Sequence, residues 1–139
     1  MEIRRALDQD LEAIRSVDRV ADDSEERRTL IERSVREGGA WVALLDGAVV
    51  GYAVLEHSFF GRGFISLLMV GPAHRRRGVG AALVRHLEGH CVSQRVFTST
   101  NQSNLPMQAL LQKLGYRHSG TVEDLDPGDP ELFYSKQLR

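Results

Sequence analysis

Hydrophobic positions along this chain switch repeatedly between two periods, and the switches predict its elements. Glu2 to Ala6 reads as a short first strand, after which Leu11, Ile14 and Val17 fall on one face of a helix that Asp8 is placed to cap. A second helix opens at Ser24 and carries Glu25 and Glu26 where carboxylates meet the positive end of the helix dipole. It buries Leu30, Ile31 and Val35 and stops at Gly38-Gly39. Ala40 to Leu45 and Ala48 to Glu56 then read as strands joined by Asp46-Gly47, a strong hairpin signal.

Gly61-Arg62-Gly63 turns the chain into an apolar run from Phe64 to Val70, which breaks at Gly71-Pro72. The chain next passes through Arg75-Arg76-Arg77-Gly78-Val79-Gly80 and becomes a helix whose Val79, Leu83 and Leu87 form an i, i+4 stripe ending near His90. Arg95 to Ser99 reads as a strand, Asn104 to Leu114 as a helix closed by Gly115, and Tyr116 to Val122 as a strand. Pro127-Gly128 turns into a last strand, Leu132 to Leu138. The order β-αα-βββ-α-β-α-ββ is mixed α/β (α+β) with an antiparallel first half, which does not suit a doubly wound sheet.

Size and composition narrow the function. A chain of 139 residues is expected to be one domain, 1–139, with a real core. With 42% hydrophobic and 27% charged residues and a net charge of -1, it has no general attraction to nucleic acid or to an anionic membrane. No apolar run approaches the ~20 residues of a membrane span, and the charged N-terminus lacks a signal-peptide core, so a cytoplasmic protein is expected. Cys91 is the single cysteine, which excludes an intrachain disulfide and a cysteine zinc cluster, and no metal is expected; it reads as a small buried residue near a helix end.

The candidate chemistry sits in the glycine-rich turn. Gly78 and Gly80 permit a tight turn and close approach of an anion, and the first helical turn aims unpaired N–H groups outward, so a pyrophosphate fits there. A P-loop would need Lys-Ser or Lys-Thr after the glycines, and a dinucleotide fingerprint would need a third glycine and a place at the start of a βαβ unit. Neither is present. The remaining pattern, Arg75-x-x-Gly78-x-Gly80 preceded by Val70-Gly71-Pro72, resembles the acyl-CoA loop of the GNAT superfamily of N-acyltransferases, and the element order matches that fold. A stretch Asn104-x-x-Met107-x-x-x-Leu111-x-x-x-Gly115-Tyr116 is similar to the family's second cofactor segment.

The resemblance implies a mainly antiparallel seven-stranded sheet flanked by about four helices, with acetyl-CoA as cosubstrate and an amine as acceptor. The strand before the phosphate loop would splay from the strand at Arg95 to Ser99 to admit the pantetheine arm. Main-chain groups around Leu68, Met69 and Val70 would bind the pantetheine amides and the acyl carbonyl. Backbone amides of Arg76, Arg77, Gly78, Val79, Gly80 and Ala81 would hold the pyrophosphate, with Arg75 and Arg77 adding charge, while Asn104 and Leu111 belong to the second cofactor segment. Many relatives form homodimers, which makes a homodimer an expectation here too.

Two departures from the family pattern bear on mechanism. The positions of the usual base on the strand before the loop hold Ser66 and Leu67, and the position of the usual thiolate-protonating tyrosine holds Leu111. Glu56, at the end of the preceding strand, is the remaining candidate base, with His57 as the alternative and Tyr134 a candidate acid. A catalytically weak acyl-CoA-binding or sensing module is the competing reading. Phe59 and Phe60 in the following loop are candidates to line an acceptor pocket, core packing being the competing role. Acidic groups at Asp22, Asp23, Glu25 and Glu26, and at Asp124, Asp126, Asp129 and Glu131, suit a cationic amine, although the first set also suits a helix start.

Overall fold

The computed structural model describes residues 1–139. Its strands are β1 (Glu2–Arg5), β2 (Ala40–Leu45), β3 (Ala48–Phe59), β4 (Arg62–Val70), β5 (Arg95–Asn101), β6 (Arg117–Val122) and β7 (Glu131–Gln137). Its helices are α1 (Leu11–Val17), α2 (Val20–Asp23), α3 (Glu25–Arg36), α4 (Val79–His90) and α5 (Leu105–Lys113). The strands form one seven-stranded sheet in the order β1-β2-β3-β4-β5-β7-β6. The pairs β1–β2, β2–β3, β5–β7 and β6–β7 are antiparallel, and β4–β5 is parallel. The predicted mixed, mainly antiparallel class therefore holds. The chain divides into two compact units, Met1–Leu55 with Leu67–His90 and Glu56–Ser66 with Cys91–Arg139, the boundaries falling inside β3, inside β4 and at the end of α4.

In the first unit the predicted stripes become the core. Ile14, Ile31, Val42 and Val54 are buried together with the Tyr52 ring, and each aliphatic side chain so removed from water contributes roughly 1.5–3 kcal/mol. Asp8 is not the helix cap that its position suggested. A 3-10 turn spans Asp8–Asp10, and Asp10 Oδ2 accepts from the Leu7 N–H at 2.7 Å and from Arg4 Nη1 at 2.8 Å. The Arg4 guanidinium thereby holds the Asp10 carboxyl below the usual carboxylate range.

Ser24 does cap α3, its Oγ accepting from the Arg27 N–H at 3.0 Å. The extra one-turn helix α2 lies between the two predicted helices, beside buried Asp18. The Asp18 carboxylate accepts from the Tyr52 hydroxyl, from Arg27 Nη1 at 2.7 Å and from the Val20 N–H at 3.1 Å, so its burial is matched by hydrogen bonds. Burial first, and Asp18 second, push the Tyr52 hydroxyl's pKa up, which keeps it a donor. On β3, Gly51 admits the start of α4. A Cβ there would stand 2.9 Å from the Met69 carbonyl oxygen and 3.2 Å from Val79 Cγ1.

In the second unit β3 continues to Phe59, and a two-residue turn at Phe60-Gly61, rather than the predicted Gly61-Arg62-Gly63, leads into β4. The parallel register runs from Gly63 opposite Val96 to Ile65 opposite Thr98, and Thr98 Oγ1 donates to the Ile65 carbonyl at 2.8 Å. Cys91 is buried just past α4, as expected, and its sulfur lies 2.4 Å from where a Cβ on Gly63 would stand, so only glycine fits opposite it. The loop between β6 and β7 is latched to the end of β5. Asp126 Oδ2 accepts from Asn101 Nδ2 at 2.9 Å, and Asp129 accepts from the Ser103 N–H at 3.0 Å and the Ser103 hydroxyl at 2.6 Å.

Candidate functional site

The glycine-rich turn in the first unit links the end of β4 to the start of α4. Gly71 and Pro72 end β4, and a 3-10 turn over Pro72–His74 follows, with the His74 N–H donating to the Gly71 carbonyl at 2.9 Å. The backbone then enters the left-handed region twice, at Arg76 (φ +64°) and at Gly78 (φ +80°). At Gly78 that conformation suits glycine; at Arg76 a side chain is held there against the ordinary preference. Helix α4 begins at Val79, and Ala82 is the first residue to close a helical bond back to Gly78, at 3.0 Å. The N–H groups of Val79, Gly80 and Ala81 thus precede the helical ladder, at the positive end of a 12-residue helix.

Around these donors Arg75, Arg76, Arg77 and Gly78 are exposed, and Arg75 Nε donates to the Val70 carbonyl at 3.1 Å, which steers its guanidinium back along the strand end. Val79 is buried beneath the turn and anchors it. Three cationic side chains, a pair of left-handed residues and a row of free N–H groups can together bind a diphosphate. Leu68, Met69 and Val70, half-buried at the C-terminal end of β4, enter directly into this loop. Leu68 to Ala81 therefore form one continuous segment of the first unit.

The other predicted residues belong to the second unit. Glu56 and His57 are half-buried at the end of β3, and His57 Nε2 accepts the Val92 N–H at 3.1 Å, which occupies that lone pair. Asn104 caps α5, its Oδ1 accepting from the Met107 N–H at 3.2 Å. Leu111 is fully buried. Tyr134 is buried opposite Thr98 on β5, with the His118 ring edge-on at 5.8 Å. No group of three or more His, Cys, Asp or Glu side chains converges in a way that would hold a metal ion, and no helix is long and apolar enough to cross a membrane.

Known proteins with this arrangement decide the family. Residues 3–116 match the family model described as Acetyltransferase (GNAT) family. An acetyltransferase of the GNAT family from Bacillus cereus superposes with a TM-score of 0.91 and 34% identity, over 98% of this chain and 96% of that one. The chain belongs to the GNAT acetyltransferase family. More distant GNAT folds superpose as well. The ribosomal-protein-S18-alanine N-acetyltransferase of Escherichia coli gives a TM-score of 0.82 at 17% identity, over 99% of this chain and 93% of that one. Naa20 of Chaetomium thermophilum, solved with a bisubstrate analogue, gives 0.81 at 20% identity, over 99% and 86%. No curated protein matches this GNAT chain in sequence.

The structure adds what sequence reading could not show. The hydroxyl of Ser66, on β4, is buried without a hydrogen-bond partner. The phenylalanines at 64, 97 and 133 are gathered with Phe59 on one face of the second unit. Alternation along Arg95 to Asn101 does put Phe97 on one side of its strand, but only the parallel register brings it beside Phe64.

Proposed function

We propose that this chain, as a single domain over residues 1–139, is an acetyl-CoA-dependent N-acetyltransferase that moves an acetyl group to a primary amine by direct attack in a ternary complex. The observation that carries this reading is the turn at Arg75–Ala81, where exposed arginines surround the unladdered N–H groups at the start of α4. Acetyl-CoA supplies the activated acyl thioester. The backbone amides from Arg76 to Ala81 hold its diphosphate, Arg75 and Arg77 add charge, and main-chain groups at Leu68 to Val70 meet the pantetheine amides and the acyl carbonyl.

Transfer needs a neutral amine nitrogen to bond the acyl carbon as the carbon–sulfur bond breaks, with the nitrogen's proton going to a base. Glu56 takes that proton in this reading, since the His57 Nε2 lone pair already accepts the Val92 N–H. The departing thiolate is a good leaving group and takes its proton from water, which suits a fold with Leu111 where relatives place a tyrosine. A cytoplasmic location and a homodimer complete the reading.

The unusual residues Ser66, Leu67 and Leu111 favour one alternative, an acyl-CoA sensor that has lost turnover. Calorimetric titration with acetyl-CoA followed by thiol release in the presence of amines separates the two. Binding with amine-dependent release supports the transferase, and binding without release across a broad panel supports the sensor. Absence of binding overturns both. Glu56→Gln is expected to lower turnover about 100-fold with acetyl-CoA affinity unchanged; unaltered turnover would remove Glu56 from the mechanism.

A further inference from the structure

All five phenylalanines of the chain meet in one cluster, and none of them belongs to the buried core. Phe59, at the end of β3, is the hub. Its ring centroid lies 4.8 Å from Phe64 on β4, 5.2 Å from Phe97 on β5, 5.9 Å from Phe133 on β7 and 5.1 Å from Phe60 in the turn. Phe59, Phe64, Phe97 and Phe133 remain half-exposed, and Phe60 is 79% exposed. The opposite side of the same strands is closed, with Val96, Thr98, Thr100 and Tyr134 all buried. The aromatic side is therefore a sheet face that no element of this unit fully covers, and contiguous apolar surface of this kind marks an interaction site.

Polar groups on that face define what it would bind. Ser66 follows Phe64 on the same side of β4, and Ser99 follows Phe97 on the same side of β5, by strand alternation. The Ser99 hydroxyl donates to Glu131 Oε2 at 2.7 Å, which fixes a half-buried carboxylate next to Phe133 on β7. The Ser66 hydroxyl is buried and unpartnered, a cost that a ligand donor or acceptor would remove. Aromatic faces and a fixed carboxylate both attract an ammonium group, and the rings bury the apolar body attached to it.

We propose that this face receives the acceptor, and that the acceptor is a primary amine carried on an aromatic or similarly apolar body, its ammonium meeting Glu131 before deprotonation. This rests on the reading of the chain as an N-acetyltransferase and narrows it to a substrate class. The occupant is argued from charge complementarity. Arg95, on the same side of β5 by strand alternation, donates to the Ser135 hydroxyl at 2.9 Å and forms no ion pair with Glu131, so the carboxylate is left for an ammonium, and an apolar amine satisfies rings, carboxylate and Ser66 together.

The test compares thiol release with phenethylamine, hexylamine and spermidine at saturating acetyl-CoA. Phenethylamine is expected to exceed spermidine in kcat/KM by at least about tenfold, and Phe97→Ser or Phe133→Ser to erase that preference while leaving acetyl-CoA binding intact. Phe97→Leu, which keeps apolar bulk, should retain most of it and controls for folding. Glu131→Gln should raise the KM for phenethylamine more than it lowers kcat. A preference for spermidine, or one that survives Phe97→Ser, overturns the proposal. So does a dimer that dissociates in Phe97→Ser while the amine preference persists, since the face then belongs to a second copy. Loss of all acetyl-CoA binding or of all thiol release would instead strike the underlying transferase reading. The face is then judged by titrating phenethylamine into the protein and following the Phe ring resonances, with shifts abolished in Phe97→Ser supporting it and no shifts overturning it.

Discussion

The two tight hairpin turns of this protein share a positive φ at both central positions and differ in one side chain. At Asp46-Gly47 the two central φ angles are +51° and +81°, and at Phe60-Gly61 they are +53° and +76°. Positive φ at both positions is the type I′ signature, which favours Asn or Asp followed by Gly. The first turn obeys that preference. The second puts a bulky aromatic ring in the left-handed region, and that ring is 79% exposed, with the Phe59 ring at 5.1 Å. The strain costs on the order of 1–2 kcal/mol and core burial does not offset it. Local rules hold where the chain only has to fold, and they fail beside the aromatic face that we assign to the acceptor.

The sharpest way to separate the two regions is to disable the glycine loop of the first unit and ask whether the second keeps its properties. Gly80→Asp adds bulk and a negative charge among the N–H groups that would hold the diphosphate. Acetyl-CoA affinity is expected to fall at least ~100-fold, about 2.7 kcal/mol, with little change in thermal midpoint. Calorimetry and a melting curve measure both. Unchanged affinity would mean that the loop does not hold the diphosphate, and the contrast between an anion-binding first unit and an acceptor-binding second unit would lose its first half.

What could be read in advance follows the same division. Asp46-Gly47, the Ser24 cap and the Gly78 turn each depend on residues within a few positions of one another, so their chemistry is visible in the string. The bounds of β2 and the end of α4 at His90 were legible for that reason. Asp8 looked like a helix cap because its neighbours could not reveal that Arg4 and Leu7 would both turn to Asp10. The aromatic face depends on strand register between segments more than 30 positions apart, such as Phe64 opposite Phe97. The His57 contact with the Val92 N–H and the latch of Asp126 and Asp129 onto Asn101 and Ser103 are equally non-local. A rule-breaking residue such as Phe60 reads locally as a displaced turn, which is why the turn was expected one residue later.

Exchanging the two turn residues tests the comparison directly. Phe60→Asn should stabilise the fold by about 1 kcal/mol, raising the melting temperature by about 3–4 °C, because asparagine accepts the left-handed conformation. Asp46→Phe should lower it by a similar amount. The asymmetry appears in activity. Phe60→Asn should weaken turnover of an aromatic amine several-fold despite its gain in stability, and Asp46→Phe should leave turnover per folded molecule unaltered. Equal activity effects at the two turns would show that the exposed ring serves no acceptor.

The smallest expected effect concerns an exception inside the first unit, which shows whether every broken local rule there is also functional. His86 Nε2 is buried without a hydrogen-bond partner, with Trp41 of β2 at 4.7 Å and His90 one helical turn on at 4.9 Å. Arg5 of β1 lies over the Trp41 ring, 5.0 Å from its centroid. Burial chiefly, and the nearby His90 in addition, hold the His86 pKa below 6.5. The folded state therefore binds fewer protons here than the unfolded chain, so this contribution to stability is complete above about pH 6.5 and shrinks as pH falls through the depressed folded value. The melting temperature should drop modestly between pH 7 and pH 5, and His86→Leu should flatten that drop. The fluorescence of Trp41, the single tryptophan, follows the transition. Turnover per folded molecule should be the same in His86→Leu and the parent at pH 7.5. If it is not, buried strain in the first unit also serves the chemistry, and the contrast drawn from the two turns must be given up.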